Sequence, residues 1–282
     1  MKIAIISSAG SANTQDLLRA ATARSIETAV FPAATISLDT ASLQDAPFYS
    51  YDVYVFRGYN ASYHQAQALA QDLTAVDKLV IDHKLAEGFV PSKLHEALVY
   101  RRHGIAQPRT FFVRSARDDL LADIRLPAVV KDVDSQRGKG VRMCQTLEQL
   151  HHEVSEHGSS IIIQEYKRLT YDLRVIVIGD QVIGAIRRNV VEGDFRSNVS
   201  LGSAVEPHQL LPDEAALALE AHRALGYDIS GVDIARDDDG KAFVIETNVT
   251  PEWQGFQAAT DIDVADEIIR YVEKRYHERD HL

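Results

Sequence analysis

The sequence predicts a fold in two parts, a small parallel α/β domain followed by a larger α+β unit. In the first part, short β-branched runs alternate with segments of helical apolar spacing, which is typical of parallel sheets with crossover helices. In the second part, apolar strands come in pairs around Gly179-Asp180 and Asp239-Gly240, dipeptides that favour two-residue hairpin turns. We therefore expect a first domain at residues 1–86 and a second at residues 87–282.

The first domain is predicted from a strand–loop–helix pattern that repeats along the chain. A β-branched strand at 2–7 precedes a loop of small polar residues, and helical spacing follows at Leu17, Leu18 and Ala21. Strands joined by helices in this order lie parallel in one sheet. The other elements expected here are a strand at 51–56, part of a helix at 66–73 and a strand at 78–81.

The second domain is predicted to begin with a helix at 92–102, in which Leu94, Leu98 and Val99 have helical spacing and which Gly104 ends. We divide this domain into a central lobe at 87–163 and a C-terminal lobe at 164–282. Its strands are expected at 111–113, 128–132, 161–165, 173–178, 181–186, 231–236 and 242–248. Its other helices are expected at 146–157, 213–225 and 263–277.

Composition and charge exclude several classes of function. The net charge of −11 argues against a broad nucleic-acid surface, which needs clustered Lys and Arg. The apolar runs are far shorter than the roughly 20 residues that a membrane-spanning helix needs. The chain starts with one basic residue and a short apolar stretch ending at Ser7, which predicts a first strand rather than a signal peptide, and hence a cytoplasmic protein. Since Cys144 is the only cysteine, an internal disulfide and a cysteine-based metal site are excluded.

The segment 231–248 predicts a hairpin that brings two carboxylates together. With Asp239-Gly240 as its turn, the register pairs Asp238 with Lys241, Ile234 with Ile245 and Asp233 with Glu246. Asn248 shares the face of Glu246, because side chains alternate along a strand. Facing like charges are destabilising, and a hard divalent cation is the usual remedy. A solvated polar face on an edge hairpin explains this segment equally well when it is considered alone.

A basic, glycine-containing loop follows the apolar strand that ends near Lys131. Gly138 and Gly140 would let main-chain N–H groups approach an anion, and Arg137 and Lys139 add positive charge to an acidic protein. These features are compatible with a loop that closes over phosphates. An ordinary solvated hairpin is the favoured alternative for the loop by itself, and the loop has neither the Walker pattern nor the dinucleotide fingerprint.

A second hairpin gathers basic side chains. With its two-residue turn, Asp172 pairs with Arg187 across the strands, and Arg174 lies on the face of Asp172. Arg196 and Asn198 in the following loop would join them, and guanidinium groups suit phosphate or carboxylate oxygens. A structural salt-bridge ladder is the alternative for Asp172 with Arg187, but it does not explain an arginine in a loop.

The segments that carry these features follow one another in an order that resembles the RimK-like ATP-grasp ligases over nearly the whole chain. The most specific parts are the stretch 192–198, which reads Glu-Gly-Asp-Phe-Arg-Ser-Asn, and the combination of Asp233, Glu246 and Asn248. The remaining segments of the resemblance are Lys131, Gln164-Glu165-Tyr166, Asp172-Leu173-Arg174 and 231–234.

The resemblance implies a role for each of these residues. The phosphates of ATP would be contacted by Lys131, by the loop residues Gly138, Lys139 and Gly140, and by Arg196, Ser197 and Asn198. The adenine and the rest of the nucleotide would be held by Gln164, Glu165, Tyr166 and Asp172. Magnesium or manganese, as two ions, would be bound by Asp233, Glu246 and Asn248. The catalytic residues would be Arg174, Arg187 and Arg196.

The resemblance also implies a two-lobed ATP-grasp fold and a carboxylate–amine ligase that works through an acyl phosphate. The expected partners are an amino acid such as glutamate and a carboxylate acceptor, either a peptide, a protein C-terminus or a small molecule. We expect a homo-oligomer without nucleic-acid or membrane partners. A dipeptide or D-amino-acid ligase, and a non-catalytic ATP-binding regulatory protein, are alternatives on the same fold. A dinucleotide-dependent oxidoreductase is disfavoured by the missing glycine fingerprint.

Overall fold

The computed structural model describes residues 1–7, 10–37, 39–42, 46–59, 62–89, 92–133, 140–190 and 205–279. These residues form three sheets, one parallel and two antiparallel. The predicted mixture of a parallel N-terminal sheet and antiparallel later lobes is confirmed. The boundary at residue 86 and the division of the later part into lobes stay predictions.

The first sheet is the parallel sheet expected near the N-terminus. Its elements in chain order are β1 (Lys2–Ile6), α1 (Ala12–Ala23), β2 (Glu27–Phe31), β3 (Val53–Phe56), α2 (Tyr63–Ala75) and β4 (Leu79–Ile81), and the strand order is β2-β1-β3-β4. The sequence analysis missed β2, whose side chains are half-buried or exposed. In β1 the side chains from Ile3 to Ile6 are all buried, as is expected for a parallel strand covered on both faces.

The second sheet follows a helix that ends where the sequence predicts. Helix α3 (Lys93–His103) stops at Gly104, which takes the left-handed conformation with a φ of 69°. The sheet then consists of β5 (Thr110–Phe111), β6 (Ala128–Asp132), β7 (Val141–Cys144) and β8 (Ile161–Glu165), with α4 (Leu147–His157) between the last two. Its order is β5-β8-β6-β7, and all pairs are antiparallel.

The third sheet contains both hairpins predicted from the sequence. Its strands are β9 (Tyr171–Ile178), β10 (Gln181–Asn189), β11 (Val205–His208), β12 (Ile229–Arg236) and β13 (Ala242–Asn248), in the order β11-β10-β9-β12-β13. Helix α5 (Pro212–Leu225) precedes β12, and α6 (Gln254–Thr260) and α7 (Val264–Arg279) follow β13. Within the part of the chain described above, no helix is long and apolar enough to span a membrane.

The register of the β9–β10 hairpin differs from the prediction by one residue. A bulge between Val182 and Gly184 shifts the pairing, so Asp172 lies opposite Arg188 and the predicted pairing with Arg187 is wrong. A methyl group added at Gly184 would come 3.0 Å from Ile262 Cδ1. Glycine in a strand commonly marks such a bulge or a close approach, and here it has both.

In the β12–β13 hairpin, the predicted pairing of Asp233 is right although the predicted turn is wrong. The strands are connected by residues 237–241 rather than by a two-residue turn, so Asp238 does not pair with Lys241. Ile234 lies opposite Val244 instead of Ile245, which is also wrong. An irregularity beside Asp233 then restores the register, and Asp233 pairs with Glu246 as predicted.

One apolar core joins the first sheet to the third. Ile3 of β1, Ile176 of β9 and Ile268 of α7 belong to the same cluster of fully buried side chains. Arg24, which directly follows α1, adds hydrogen bonds across the same junction, to Asp266 and Glu273 of α7 at 2.9 and 2.8 Å. The N-terminal sheet is therefore packed directly against the elements that carry the candidate site.

Candidate active site on the third sheet

One face of the third sheet carries the acidic and basic residues singled out in the sequence. Direct cross-strand pairing places Asp172 opposite Arg188, Arg174 opposite Asp233, and Asp233 opposite Glu246. Residues directly opposite each other project from the same face, and so do residues two apart on one strand. All of these side chains therefore project from a single face across β10, β9, β12 and β13.

Two arginines bind the carboxylate of Asp233. Arg174 donates to both of its oxygens, and Arg188 lies with its Nη2 2.9 Å from Oδ2. Arg188 also donates two hydrogen bonds to Asp172, at 2.6 and 2.7 Å. The result is a network of two carboxylates and two guanidinium groups in the fork geometry that such pairs favour.

The charged groups of this network are buried, and their mutual interactions shift their pKa values. The side chains of Asp172, Arg188 and Asp233 are 4–5% exposed. Burial alone would raise the pKa of Asp233, but Arg174 and Arg188 outweigh it and hold the pKa below its usual range. For Arg188, burial acts to lower the pKa, and the facing carboxylates of Asp233 and Asp172 raise it well above normal. Asp233 and Arg188 are therefore both charged at neutral pH.

Glu246 and Asn248 complete the predicted metal set. Asn248 donates from Nδ2 to Glu246 Oε1 at 3.0 Å, so the two side chains lie together on β13 beside Asp233. Two carboxylates and an amide oxygen are donors that hard divalent cations take, and the donor set fits magnesium in its chemistry. The described residues contain no metal-binding cluster of three or more His, Cys, Asp or Glu side chains. The present set has only two such side chains, Asp233 and Glu246, and its third member is an amide.

A small cavity lies next to this face, between the second and third sheets. It is bounded by α3, β6, β8 and the edge strand β13. Lys131 and Gln164, both predicted to bind the nucleotide, lie on its wall. The other lining residues are Lys93, Glu96, Ala97, Tyr100, Gln107, Ile162 and Ile245.

Electrostatic coupling connects the cavity to the carboxylate face. Burial lowers the pKa of the Lys131 ammonium, although Glu246, Glu96 and Asp233 act in the opposite direction. Burial and the charge of Glu246 raise the pKa of Glu96 to about 8, against the effect of the Thr247 N–H and the nearby lysines. The charge of Glu246, a predicted metal ligand, acts on both groups, so the cavity charges lie close to the carboxylate face.

Helix α3 contributes residues that the sequence analysis missed. Glu96 accepts a hydrogen bond from the Thr247 main-chain N–H at 3.3 Å, and Tyr100 donates to Thr247 Oγ1 at 2.7 Å. Of the apolar positions used to predict this helix, Leu98 is 49% exposed and so does not belong to its inner face. Spacings of three and four residues from Lys93 would have indicated the polar inner face.

Apart from Arg187, the remaining residues assigned to the site from the sequence lie either on or beside the second sheet or outside the described residues. Gln164 donates to Thr110 Oγ1 at 2.9 Å, while Glu165 ends β8 and Tyr166 follows it. Gly140 has a φ of 66°, and an added methyl group would collide with Asp132. Outside the described residues lie Arg137, Gly138, Lys139, Arg196, Ser197 and Asn198.

Arg187 lies on the opposite face of the third sheet. Its guanidinium group is 4.0 Å from the centre of the Tyr171 ring, and its Nε is 3.4 Å from Glu206 Oε1. The bulge in β10 is the reason, because it exchanges the faces of Arg187 and Arg188 relative to β9. Arg188 takes the place beside Asp172 that the sequence analysis gave to Arg187.

Comparisons with known proteins agree with the resemblance drawn from the sequence. A model of the RimK-like ATP-grasp domain matches residues 91–272. A probable alpha-L-glutamate ligase of Aeromonas salmonicida is 32% identical over 97% of this chain and 96% of its own length. The ribosomal protein bS6–L-glutamate ligase of Shigella boydii is 35% identical over 64% of this chain and 63% of its own length.

A solved structure shares the fold across the whole chain. The ATP-grasp ligase PsnB, complexed with a minimal precursor, superposes with a TM-score of 0.75 at 20% identity, covering 96% of this chain and 99% of that one. The same ligase has also been solved with the minimal precursor, magnesium and ADP. The predicted ATP-grasp fold and the predicted ligase family are thereby confirmed.

Proposed function

Because the chain belongs to the RimK-like ATP-grasp family, we propose that it joins glutamate or a similar amino acid to the carboxylate of a peptide or protein C-terminus, using ATP. Two of its relatives are named as glutamate ligases, one of them for a ribosomal protein. The observation that carries the proposal is the face of Asp172, Arg174, Arg188, Asp233 and Glu246, which adjoins a cavity with two lysines.

The proposed reaction has two steps. An oxygen of the acceptor carboxylate attacks the γ-phosphorus of ATP, forming a C–O–P linkage and breaking the bond to the β-phosphate oxygen, so ADP leaves. The amine of the amino acid then attacks the acyl carbon. The amide forms, inorganic phosphate leaves, and the amine loses a proton to solvent or to a nearby base.

The cavity residues suit the phosphates of the nucleotide. Lys93 and Lys131 place two ammonium groups on one wall, and phosphate oxygens would take the place of carboxylates as their partners. We propose that Lys131 contacts the phosphates and that Gln164 lies beside the base. Glu165 and Tyr166 at the end of β8 would receive the adenine, as expected from the family.

The carboxylates of Asp233 and Glu246, with the amide oxygen of Asn248, would hold magnesium. A bound cation, or two, would offset negative charge on the phosphate oxygens. Arg174 and Arg188 pair with Asp233, so their guanidinium groups lie beside the proposed cation site, where phosphate charge would arrive. Arg174 and Arg188 would stabilise the transferring phosphoryl group, a role in which one preorganised donor typically contributes about 3 kcal/mol.

The remaining roles follow the family pattern and stay proposals. Arg196, Ser197 and Asn198 would line the phosphate end of the site, and Gly138, Lys139 and Gly140 would cover it. The expected homo-oligomer and cytoplasmic location also stay proposals.

The test is amine-dependent ADP release. Purified protein with magnesium and ATP is given a panel of amino acids together with short peptides that end in glutamate, and the products are identified by mass spectrometry. We expect ADP to form only when both an amino acid and an acceptor are present, with one new amide per ADP. ADP formation without any amide product would contradict the ligase proposal.

A further inference from the structure

A buried arginine of the first sheet reaches the main chain next to the predicted metal ligands. Arg57, directly after β3, is 2% exposed. Its Nη2 donates to the carbonyl oxygen of Val249 at 3.0 Å, and its Nη1 donates to Asp82 Oδ2 at 2.9 Å. Val249 follows Asn248, the last of the predicted ligands. The buried guanidinium group thus divides its donors between an ion pair with Asp82 and one main-chain carbonyl beside the predicted ligands.

Arg57 is itself held rigidly. Asp82 follows β4 in the left-handed conformation, with a φ of 70°. Its main-chain N–H and that of His83 both donate to Asp228 Oδ2 at 2.8 Å, and Asp228 is 1% exposed at the start of β12. The guanidinium group is therefore fixed between the first sheet and the third, and it has little freedom to follow a moving carbonyl.

A second contact from the first domain reaches the same segment. Asn13, in the first turn of α1, donates to the carbonyl oxygen of Pro251 at 3.3 Å. Pro251 covers Gly231, where an added methyl group would come 2.8 Å from Pro251 Cβ and 3.0 Å from Arg174 Cδ. The segment 249–251, whose carbonyls the first domain holds, thus begins directly after Asn248 and packs at Pro251 over Gly231, which Arg174 also approaches.

We propose that Arg57 is a positioning residue for the cation site, fixing the Asn248–Val249 main chain so that Asn248 and Glu246 face Asp233. Asn13 supports the same segment through Pro251. The inference rests on the proposed function, since it takes Asp233, Glu246 and Asn248 as the cation ligands. It makes the N-terminal domain part of the metal site rather than an independent substrate-binding unit.

The test separates cation binding from nucleotide binding. The dissociation constant of ADP is measured by calorimetry in 10 mM magnesium and again in EDTA, and the ratio of the two values reports the coupling between cation and nucleotide. The main variant is R57M/D82N, which removes both charges and leaves no buried ion unpaired. Asn is also tolerated in the left-handed conformation of residue 82. The matched control is Arg24→Met, which removes ion pairs between α1 and α7 across the same junction.

In R57M/D82N we expect the magnesium-dependent gain in ADP affinity to fall about tenfold, the lower end of the effect of losing a group that supports a metal ligand. ADP affinity in EDTA should change less than about twofold, and Arg24→Met should match the wild type in both conditions. Equal loss in magnesium and in EDTA would leave the ratio unchanged, which would indicate a general structural role and overturn the proposal.

Asn13→Ala keeps the proposal testable if the double variant does not fold. We expect its magnesium-dependent gain to fall about threefold, and an unchanged gain would count against the proposal. The wild-type protein distinguishes the two levels of failure. If it binds ADP no better in magnesium than in EDTA, the proposed function fails before any variant is compared.

Discussion

The arginine–aspartate networks around Asp233 and Asp228 each centre on a buried carboxylate, but they differ in what surrounds that carboxylate. Asp228 accepts hydrogen bonds from two main-chain N–H groups, from Tyr271 and from Arg275, and its neighbours are fixed by the packing of two sheets. Among the described residues, the carboxylate of Asp233 is bound by side chains alone, and Asp233 lies opposite another acidic residue, Glu246.

This difference indicates which network is built to change partners. Main-chain donors cannot leave Asp228 without local unfolding, whereas arginine side chains can rotate from Asp233 toward a phosphate. A facing pair of carboxylates is unfavourable unless a cation joins it. We therefore expect substitutions around Asp228 to change stability and substitutions around Asp233 to change activity.

The largest expected effect is on stability, from Asp228→Asn. Removing this charge leaves Arg275 and the main-chain donors with a weaker acceptor in a buried site, so the free energy of unfolding should fall by about 3–5 kcal/mol. Urea denaturation measures it. The control is Asp180→Asn, whose ion pair with Arg223 is exposed and should contribute less than about 1 kcal/mol. Equal effects in the two variants would mean that the Asp228 network contributes no more to stability than an exposed ion pair.

Glu246→Gln should reduce activity much more than stability. Turnover is expected to fall at least about 100-fold, because even groups that only support a metal ligand cost 10- to 100-fold when they are lost. ADP release measures turnover, and thermal denaturation monitors the fold. Glu206→Gln is the control, since Glu206 contacts Arg187 on the opposite face, and it should stay within about twofold of the wild type. A Glu246→Gln protein with normal turnover would rule out the assigned metal site.

Equivalent substitutions of Arg188 and Arg187 test which of the two arginines belongs to the carboxylate face. Arg188→Lys keeps the charge but loses the paired hydrogen bonds to Asp172, so turnover should fall about 10- to 100-fold. Arg187→Lys should have little effect, because Arg187 contacts Tyr171 and Glu206 on the other face. The reverse order of effects would show that the register seen in β10 is not the register of the active protein.

Much of the fold was predictable because hydrophobic periodicity is a local signal. The bounds of β6, β8 and β13 agree with the prediction at both ends. Strand β2 was missed because its side chains, one exposed and four half-buried, do not alternate between apolar and polar. The pairing of Asp233 with Glu246 was predicted correctly only because the longer connection and the irregularity in β13 compensate each other.

The candidate site was predictable only in part, because it depends on register and on distant contacts. Gly184 carried a signal for the bulge that exchanges Arg187 and Arg188, but a single glycine does not fix the direction of a shift. The roles of Glu96 and Arg57 come from contacts across 151 and 192 residues of sequence, which no local pattern encodes.

The smallest expected effect is on the pH dependence of stability, to which His222 near Asp228 contributes. Burial lowers the pKa of His222 to about 4, and its Nδ1 lies 2.7 Å from Ser230 Oγ. Between about pH 6.5 and 4 the unfolded chain binds a proton at this residue and the folded protein does not, so stability is lost as the pH falls. His222→Gln should reduce this loss by about 1–3 kcal/mol. Urea denaturation at pH 4.5 and 7 checks it, and parallel pH curves for variant and wild type would contradict it.

The central claim is that the carboxylate face activates an acceptor carboxylate with ATP. The most direct measurement uses a glutamate-ended peptide labelled with ¹⁸O in its C-terminal carboxylate, together with ATP, magnesium and glutamate, and follows the label by mass spectrometry. Formation of an acyl phosphate predicts one ¹⁸O in each inorganic phosphate released, in step with the amide product. Amide formation with unlabelled phosphate would contradict this mechanism.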